Sequence, residues 1–221
     1  MRVARPFALE LEYQRQMMAV GLFLPEPRRI VQLGLGAAAL TKFCWCEVSS
    51  ASIVAVELSV DVIDAAHAWF CLPPDDARLN VVNADAREFI SHPRQRGLAD
   101  WLQVDLYDAA ARGPVYDDVA FYRACRKALR APGVASFNLF GARFDPSFAA
   151  IASAFDDRAL VLPEVDAGNR VVLAVVGPPL DVPFAALDRR ARELEARWNL
   201  KARGWVAGLR RANVFGTSFE L

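Results

Sequence analysis

The most constraining feature of the sequence is a pair of apolar runs with the pattern of neighbouring strands, one ending in a glycine turn and the next in an acid. The first, RRIVQLGLG, spans residues 28–36, and the second, SIVAVE, spans residues 52–57. Glycine lets a strand turn sharply into a helix and lets the backbone approach a ligand. Glu57 follows about 20 residues later, at a strand end where a carboxylate can accept hydrogen bonds from ribose hydroxyls. Gly34, Gly36 and Glu57 therefore predict a site for a ribose-bearing ligand; the alternative is a structural turn followed by a solvated glutamate.

Strand-like runs alternate with helix-like or loop-like segments through most of the chain. The last two runs are joined instead by the short turn-rich link EVDAGN. The runs occupy residues 30–33, 53–56, 79–82, 101–104, 134–139, 160–163 and 170–176. The alternation predicts a mostly parallel sheet covered by helices on both faces, and the final link predicts a hairpin whose last strand is antiparallel. We therefore expect an α/β fold with a seven-stranded sheet.

We expect a single domain over residues 1–221, because the chain is long enough to bury one core and no boundary stands out. Apolar spacing over residues 9–24 predicts a helix before the first strand, and the charged amphipathic stretch at 183–198 predicts another near the end. The closing GLRRANVFGTSFEL is interpreted as a tail that is either disordered or docked on a partner. The expected parts are a helical lead-in at 1–27, the sheet with its helices at 28–178, and a C-terminal helix and tail at 179–221.

Charge, hydropathy and cysteine usage argue against several functional classes. The 26 basic and 26 acidic side chains balance, so no global field draws the chain to nucleic acid or to an anionic membrane. No apolar run is long enough to span a membrane, and the amino terminus lacks the apolar core of a signal peptide, so we expect a cytoplasmic protein. The four cysteines and two histidines lack metal-site spacing, so we expect buried thiols and no metal.

Acidic residues also follow the third and fourth strand-like runs, at the sheet edge where open α/β folds bind ligands. Asp85, in VVNADA, is placed to accept a hydrogen bond from an exocyclic amine such as that of adenine, and Ala86 leaves room for a flat ring. The alternative is that Asp85 caps the helix that begins at Ala86. Asp105 and Asp108 follow the fourth run, in QVDLYD.

Paired carboxylates in a cleft attract a cationic substrate, and one of them can take a proton from an ammonium group. Asp105 and Asp108 therefore predict an amine site, with Tyr107 as a wall of the pocket. If the other ligand is a sulfonium, its neutral leaving group makes displacement easy, and the protein mainly aligns the reactants. The alternative is a polar loop whose aspartates cap the following turn.

Six motifs follow one another along the chain: LGLGAAAL, VAVELSVDVIDAA, LNVVNADAREFI, QVDLYD, FYRACRKALRAPGVASFNLFG and AGNRVVLAVVG. In this order and spacing the chain resembles bacterial spermidine synthase-like proteins, of the polyamine aminopropyltransferase family, from about Tyr13 to the C-terminal helix. The resemblance implies a Rossmann-like fold of the S-adenosylmethionine-dependent methyltransferase type, and a homodimer. It implies a transferase that moves an aminopropyl group from decarboxylated S-adenosylmethionine to a polyamine or related small amine.

The resemblance also implies roles for individual residues. At the donor end, Gly34, Gly36 and Glu57 hold the ribose, and Asp85 faces the adenine.

At the acceptor end, the resemblance implies that Asp105 deprotonates the attacking amine and that Asp108 helps to bind the polyamine. Tyr13 and Gln14 are similar to the tyrosine and glutamine that line the substrate cleft in spermidine synthases.

The chain departs from the family pattern in three places. GLGAAA stands where spermidine synthases usually have GGGDGG, about a dozen residues precede the Tyr13 helix, and no proline follows Asp108. We therefore expect the N-terminal β-domain of full spermidine synthases to be missing. The donor stays open between decarboxylated S-adenosylmethionine and S-adenosylmethionine, so a methyltransferase and a non-catalytic dimeric binding protein of the same fold remain as alternatives.

Overall fold

The computed structural model describes residues 1–2, 4–108, 113–141, 144–166 and 168–213, and the backbone of 218–220. The strands of its central sheet are β1 (Arg29–Leu33), β2 (Ser52–Glu57), β3 (Leu79–Asn83), β4 (Ala99–Val104), β5 (Leu129–Phe140), β6 (Ala159–Val161) and β7 (Asn169–Val176). They are arranged in the order β3-β2-β1-β4-β5-β7-β6. The first five strands pair in parallel, and β7 is antiparallel to both β5 and β6. The predicted α/β fold with an antiparallel hairpin strand is confirmed.

Helices connect and flank the strands. They are α1 (Glu12–Met17), α2 (Ala39–Glu47), α3 (Val60–Trp69), α4 (Ala86–Ser91), α5 (Val119–Ala128), α6 (Phe144–Ala154), α7 (Phe184–Trp198) and α8 (Ala202–Ala212), with 3₁₀ turns at Met18–Leu22 and Pro93–Gln95. Two short strands, β8 (Asp181–Pro183) and β9 (Ser218–Glu220), pair antiparallel outside the main sheet. None of the helices in the described ranges combines the length and apolar character needed to cross a membrane.

The sheet buries apolar side chains on both faces because successive residues of a strand point to opposite sides. Ile30 and Ile53 join one core, which packs against the C-terminal helices, whereas Val31 and Val54 join the other, which packs against α5 and α6. This double burial explains why the strands are nearly continuous apolar runs. It also leaves the strand ends as the places where polar side chains gather.

Two parts of the sequence interpretation need correction. The predicted helix over 9–24 is only the six-residue α1 followed by a 3₁₀ turn, where Gly21 packs so closely on Trp198 that an added Cβ would lie 2.6 Å from the ring. The closing residues are not simply a tail, because they include the end of α8 and the strand β9. The apolar face of α8, which buries Trp205 and Leu209, is interrupted in sequence by arginines, and this masked its helical period.

The positions of the cysteines and histidines test the expectation of buried thiols. Cys44 and Cys125 are buried as expected, but Cys46 and Cys71 are exposed, so the expectation of four buried thiols is wrong for two of them. His67 lies on α3 and His92 lies in the loop after α4. The described residues include no group of three or more His, Cys, Asp or Glu side chains placed to hold a metal ion.

Candidate active site

The carboxyl ends of β1, β2 and β4 and the first turn of α4 open onto one cavity of about 740 Å³. The structure brings all ten residues that the sequence predicted for the site into the wall of this cavity. They are Tyr13, Gln14, Gly34, Gly36, Glu57, Asp85, Ala86, Asp105, Tyr107 and Asp108. They converge because the carboxyl ends of neighbouring parallel strands meet at one edge of the sheet.

The two glycines of the turn differ in how closely the surrounding backbone packs against them. Gly34 has a φ of +94°, donates its N–H to the Val56 carbonyl at 2.9 Å, and lies so close to β4 that an added Cβ would be 2.2 Å from the Asp105 carbonyl oxygen. Gly36 has a φ of +51°, and an added Cβ there would meet no atom within 4 Å. Gly34 is therefore required by the bend and by backbone packing, whereas the packing gives no such reason for Gly36. The role of both glycines in ligand approach stays a prediction.

The three alanines that follow the turn do not share one environment. Ala37 and Ala39 line the cavity. Ala38 is fully buried, lies in the left-handed region with a φ of 55°, and precedes the first turn of α2. At the cavity wall, Ala37 therefore stands where a GGGDGG turn has its larger aspartate, and Ala39 adds a methyl group where that turn has glycine.

Glu57 is held by the backbone of the glycine turn and of its own loop. Its Oε2 accepts a hydrogen bond from the Leu35 N–H and its Oε1 accepts one from the Ser59 N–H, both at 3.0 Å. Each carboxylate oxygen has a second lone pair that these bonds leave unused. The carboxylate is fixed in place at the cavity wall and can still accept hydrogen bonds from a diol.

Asp85 both caps a helix and lines the cavity. Its Oδ1 accepts a hydrogen bond from the Glu88 N–H at 2.9 Å, and its Oδ2 accepts one from the Tyr116 hydroxyl. Burial opposes ionisation, but the hydrogen bonds from Tyr116, Glu88 and the Arg87 backbone outweigh it and hold the pKa of Asp85 below its usual range. The two interpretations of Asp85 are compatible in one geometry, with Ala86 as the first residue of the capped helix.

Asp105 lies at the opposite end of the cavity, immediately after β4. Its Oδ1 accepts a hydrogen bond from Asn138 Nδ2 at 2.9 Å and its Oδ2 accepts one from the Tyr13 hydroxyl at 3.2 Å. Burial raises the pKa of Asp105, and the two hydrogen bonds only partly oppose this effect. A carboxylate with a raised pKa is well matched to taking a proton from a neighbouring group.

Tyr13 connects the lead-in helix to Asp105. Its phenol also accepts a hydrogen bond from Gln14 Nε2 at 3.4 Å, and its backbone N–H donates to Asp166 Oδ2 at 2.6 Å. The N-cap residue of α1, Leu11, provides no side-chain hydrogen bond. Asp166, in the β6–β7 turn, accepts a hydrogen bond from an N–H of the first turn instead. Burial, followed by the charge of Asp105, raises the pKa of Tyr13.

Tyr107 and Asp108 complete the wall beside Asp105. The Tyr107 hydroxyl donates to the Asn138 backbone carbonyl at 3.3 Å, and burial raises the pKa of this phenol. Both tyrosines at this end are therefore neutral near pH 7, and they contribute hydrogen bonds without charge.

The charged side chains among the described lining residues of the cavity all have the same sign. The described lining residues include four carboxylates. No lysine, arginine or histidine is among these lining residues. The four are Glu57, Asp85, Asp105 and Asp108. Such a cavity favours a cationic ligand and disfavours an anionic one.

Three residues that contact the predicted site were missed by sequence reasoning: Tyr116, Asn138 and Asp166. Asn138 had a usable signal, because it is a polar residue inside the buried run VASFNLF, and a buried amide needs a partner. Tyr116 and Asp166 lie in loops with no motif, and their contacts depend on how the loops fold over the site.

Comparison with known proteins gives curated relatives that share one name, polyamine aminopropyltransferase. No model of a known protein family matches the chain. The polyamine aminopropyltransferase of Chromobacterium violaceum is 30% identical over 210 residues, which cover 94% of this chain and 80% of that protein.

Solved structures share the fold. A spermidine synthase in complex with the transition-state analogue AdoDATO superposes with a TM-score of 0.71 at 21% identity, over 90% of this chain and 73% of that one. Human methyltransferase-like protein 13 in complex with SAH superposes with a TM-score of 0.75 at 21% identity, over 85% of this chain and 92% of that one. At these identities the similarity shows only that the chain shares the methyltransferase-type fold.

Proposed function

Because the chain belongs to the polyamine aminopropyltransferase family, we propose that it transfers an aminopropyl group from decarboxylated S-adenosylmethionine to a polyamine or related amine. The observation that carries the choice of donor is the cavity with four carboxylates and no basic side chain among its described lining residues. Decarboxylated S-adenosylmethionine carries a sulfonium and an ammonium, whereas S-adenosylmethionine carries a carboxylate as well. The described lining residues offer that carboxylate no cationic partner, so among them its desolvation would go uncompensated by an ion pair.

In the proposed reaction, a neutral amine nitrogen attacks the aminopropyl carbon bonded to the sulfonium. The C–N bond forms as the C–S bond breaks, and the electron pair of the broken bond returns to sulfur, so that neutral methylthioadenosine leaves. The nitrogen must first lose a proton, because an ammonium has no lone pair. Asp105 accepts that proton, and its raised pKa supports this role.

The other predicted residues bind and orient the reactants. We assign the ribose to Glu57 and the adenine to the Asp85–Ala86 corner, with Gly34 and Gly36 shaping the turn between them.

We assign the acceptor amine to the opposite end, where Asp108, Tyr107, Tyr13 and Gln14 surround Asp105. Asp108 supplies a second negative charge, and the neutral tyrosines supply hydrogen bonds. Alignment of the two reactants in this cavity, rather than activation of the leaving group, would provide most of the rate.

Two alternatives of the same fold are testable at the same time. A methyltransferase would use S-adenosylmethionine, whose demethylated product SAH is bound in the human methyltransferase-like protein of the same fold. A non-catalytic binding protein would carry out neither reaction. Ala37 in place of the aspartate of the GGGDGG pattern and Ala39 in place of a glycine change the donor end, and these two differences keep the alternatives open.

Calorimetric titration with decarboxylated S-adenosylmethionine, S-adenosylmethionine and methylthioadenosine separates the three. We expect the decarboxylated donor to bind more tightly than S-adenosylmethionine, and methylthioadenosine to be released when putrescine or a longer polyamine is added. Preference for S-adenosylmethionine would favour the methyltransferase, and binding of none of the three would favour the non-catalytic protein.

We further propose a homodimer in the cytoplasm, on the basis of the family resemblance. Light scattering of the purified protein and fractionation of the native cells test these two statements, and a monomer or a membrane-bound pool would contradict them.

A further inference from the structure

Asn138 is a polar residue in the buried interior of β5. The residue is 3% exposed and lies between Phe137 and Leu139, which are each 1% exposed. Its Nδ2 donates to Asp105 Oδ1 at 2.9 Å, and its Oδ1 accepts no hydrogen bond from the described residues. A buried amide with an unsatisfied oxygen is costly, and among the contacts of the described residues the hydrogen bond to Asp105 accounts for asparagine at this position.

The two hydrogen bonds to Asp105 come from different sides. Tyr13 lines the cavity and donates to Oδ2, whereas Asn138 lies outside the cavity lining and donates to Oδ1. The Tyr13 bond is 3.2 Å long, which exceeds the usual 2.7 to 2.8 Å of O–H···O bonds. The interior oxygen is therefore held more firmly than the oxygen that faces the cavity.

We propose that Asn138 is a positioning residue for proton transfer: its amide fixes Oδ1 of Asp105 so that Oδ2 faces the acceptor amine. This inference rests on the proposed function. The incoming ammonium displaces the weak Tyr13 bond and gives its proton to Oδ2. The carboxylate cannot rotate away, because the charge-assisted bond on Oδ1 holds it.

The Asn138 amide also favours the ionised form of Asp105. A donor to a carboxylate lowers its pKa, so removal of the amide raises the pKa of Asp105 further above its usual range. The base would then be protonated up to a higher pH. The acidic limb of the kcat/KM profile for the amine should move in the same direction.

Asn138→Leu tests the proposal, because leucine has nearly the same shape and no donor. The backbone carbonyl that receives the Tyr107 hydroxyl remains. We expect kcat to fall roughly 10- to 100-fold near pH 7, the effect of losing a hydrogen bond to a charged group. The KM of the donor should stay unchanged, and the acidic limb should shift to higher pH.

Ser136→Ala is the matched control. Ser136 lies two residues earlier on the same strand and is fully buried, and its hydroxyl has no hydrogen-bond partner among the described residues. Its loss removes a buried polar atom from β5 without touching Asp105, so the pH profile should keep its wild-type position.

A carbon-13 NMR titration of the Asp105 carboxyl, assigned with Asp105→Asn, gives a readout that needs no activity. An upward pKa shift in Asn138→Leu but not in Ser136→Ala supports the proposal, and an unchanged titration together with an unchanged pH profile overturns it. Asn138→Ala serves as the second variant if the leucine protein does not fold. An inactive wild type would refute the proposed function, whereas an active wild type with an unshifted Asn138 variant would refute only the role of Asn138.

Discussion

The carboxylates at the two ends of the cavity are built differently. At the proposed ribose and adenine end, Glu57 and Asp85 accept hydrogen bonds from backbone N–H groups at a turn and at helix starts. At the proposed amine end, the hydrogen bonds that Asp105 accepts from the described residues come from two side chains, Asn138 and Tyr13, and burial is the largest influence on its pKa.

The difference follows the chemistry that each end would perform. Hydrogen bonds hold the pKa of Asp85 below its usual range, so this carboxylate stays ionised and serves as a permanent acceptor. Burial raises the pKa of Asp105, which suits a group that must take and return a proton. Under the proposed function, one end of the cavity would serve binding and the other would serve proton transfer.

Asp105→Asn gives the sharpest separation of the two ends. The amide cannot take the proton of the ammonium, so we expect aminopropyl transfer to fall by roughly 10²- to 10⁴-fold, the usual contribution of a positioned base. The dissociation constant of methylthioadenosine should be unchanged, because the donor end is intact. Single-turnover kinetics and calorimetry measure the two quantities, and a fully active variant would refute Asp105 as the base.

Gly34→Ala should disturb both ends, whereas Gly36→Ala should affect the donor end alone. An alanine at 34 would press on the Asp105 backbone at a strained φ, and we expect it to lower the free energy of unfolding by roughly 2 to 5 kcal/mol. An alanine at 36 meets open space at a φ close to the one that Ala38 already adopts, so the loss should be about 1 kcal/mol. Urea denaturation compares them, and equal losses would contradict the packing argument.

The fold and the strand-end acids could be predicted from the sequence because both depend on local pattern. Apolar runs of strand length set the sheet, and its parallel strands bring Glu57, Asp85 and Asp105 to one edge. The reason for Gly34 could not be predicted, since it depends on how closely β1 approaches the loop after β4.

The partners of the acids could not be predicted for a related reason. Asn138 is 33 positions from Asp105, and Tyr116 is 31 positions from Asp85. Which loop folds over a strand end is a tertiary property that periodicity does not carry. The arginine-rich surface of α8 hid a helix in the same way, because burial of its apolar face is visible only against the sheet.

Glu57→Ala tests the donor end by itself. We expect the affinity for methylthioadenosine to fall by roughly 1 to 3 kcal/mol through the loss of charged hydrogen bonds to the ribose. Turnover at saturating donor should change little, because the amine end is intact. Asp61→Ala, an exposed acid on the neighbouring helix outside the cavity lining, is the control. Unchanged affinity in the Glu57 variant would remove this residue from the site.

Stability as a function of pH provides the smallest effect and tests the electrostatic contrast directly. The raised pKa of Asp105 means that the folded state binds its proton more readily than the unfolded state does. The destabilisation of the folded state by the buried Asp105 charge is absent below the usual carboxyl range. It grows as the pH rises through the raised pKa and is complete above it. Asp85 has a lowered pKa, so its contribution is present at neutral pH and is lost as the pH falls through that lowered value.

The two ends should therefore respond to substitution with opposite signs at pH 8. Asp105→Asn should raise the melting temperature, because the buried charge is gone while the new amide still accepts from Asn138 and can donate to the Tyr13 oxygen. Tyr116→Phe should lower the melting temperature slightly. The free energy of unfolding should fall by only about 0.5 kcal/mol, because Asp85 is partly solvated. The Asp105→Asn difference should shrink as calorimetric scans move toward pH 4, because the raised pKa of Asp105 is then passed. The Tyr116→Phe difference should persist at pH 4 and shrink only at lower pH, because the pKa of Asp85 lies below its usual range. If Asp105→Asn is less stable than the wild type at pH 8, burial of the Asp105 charge does not destabilise the folded protein, and the proposed electrostatic difference between the two ends is wrong.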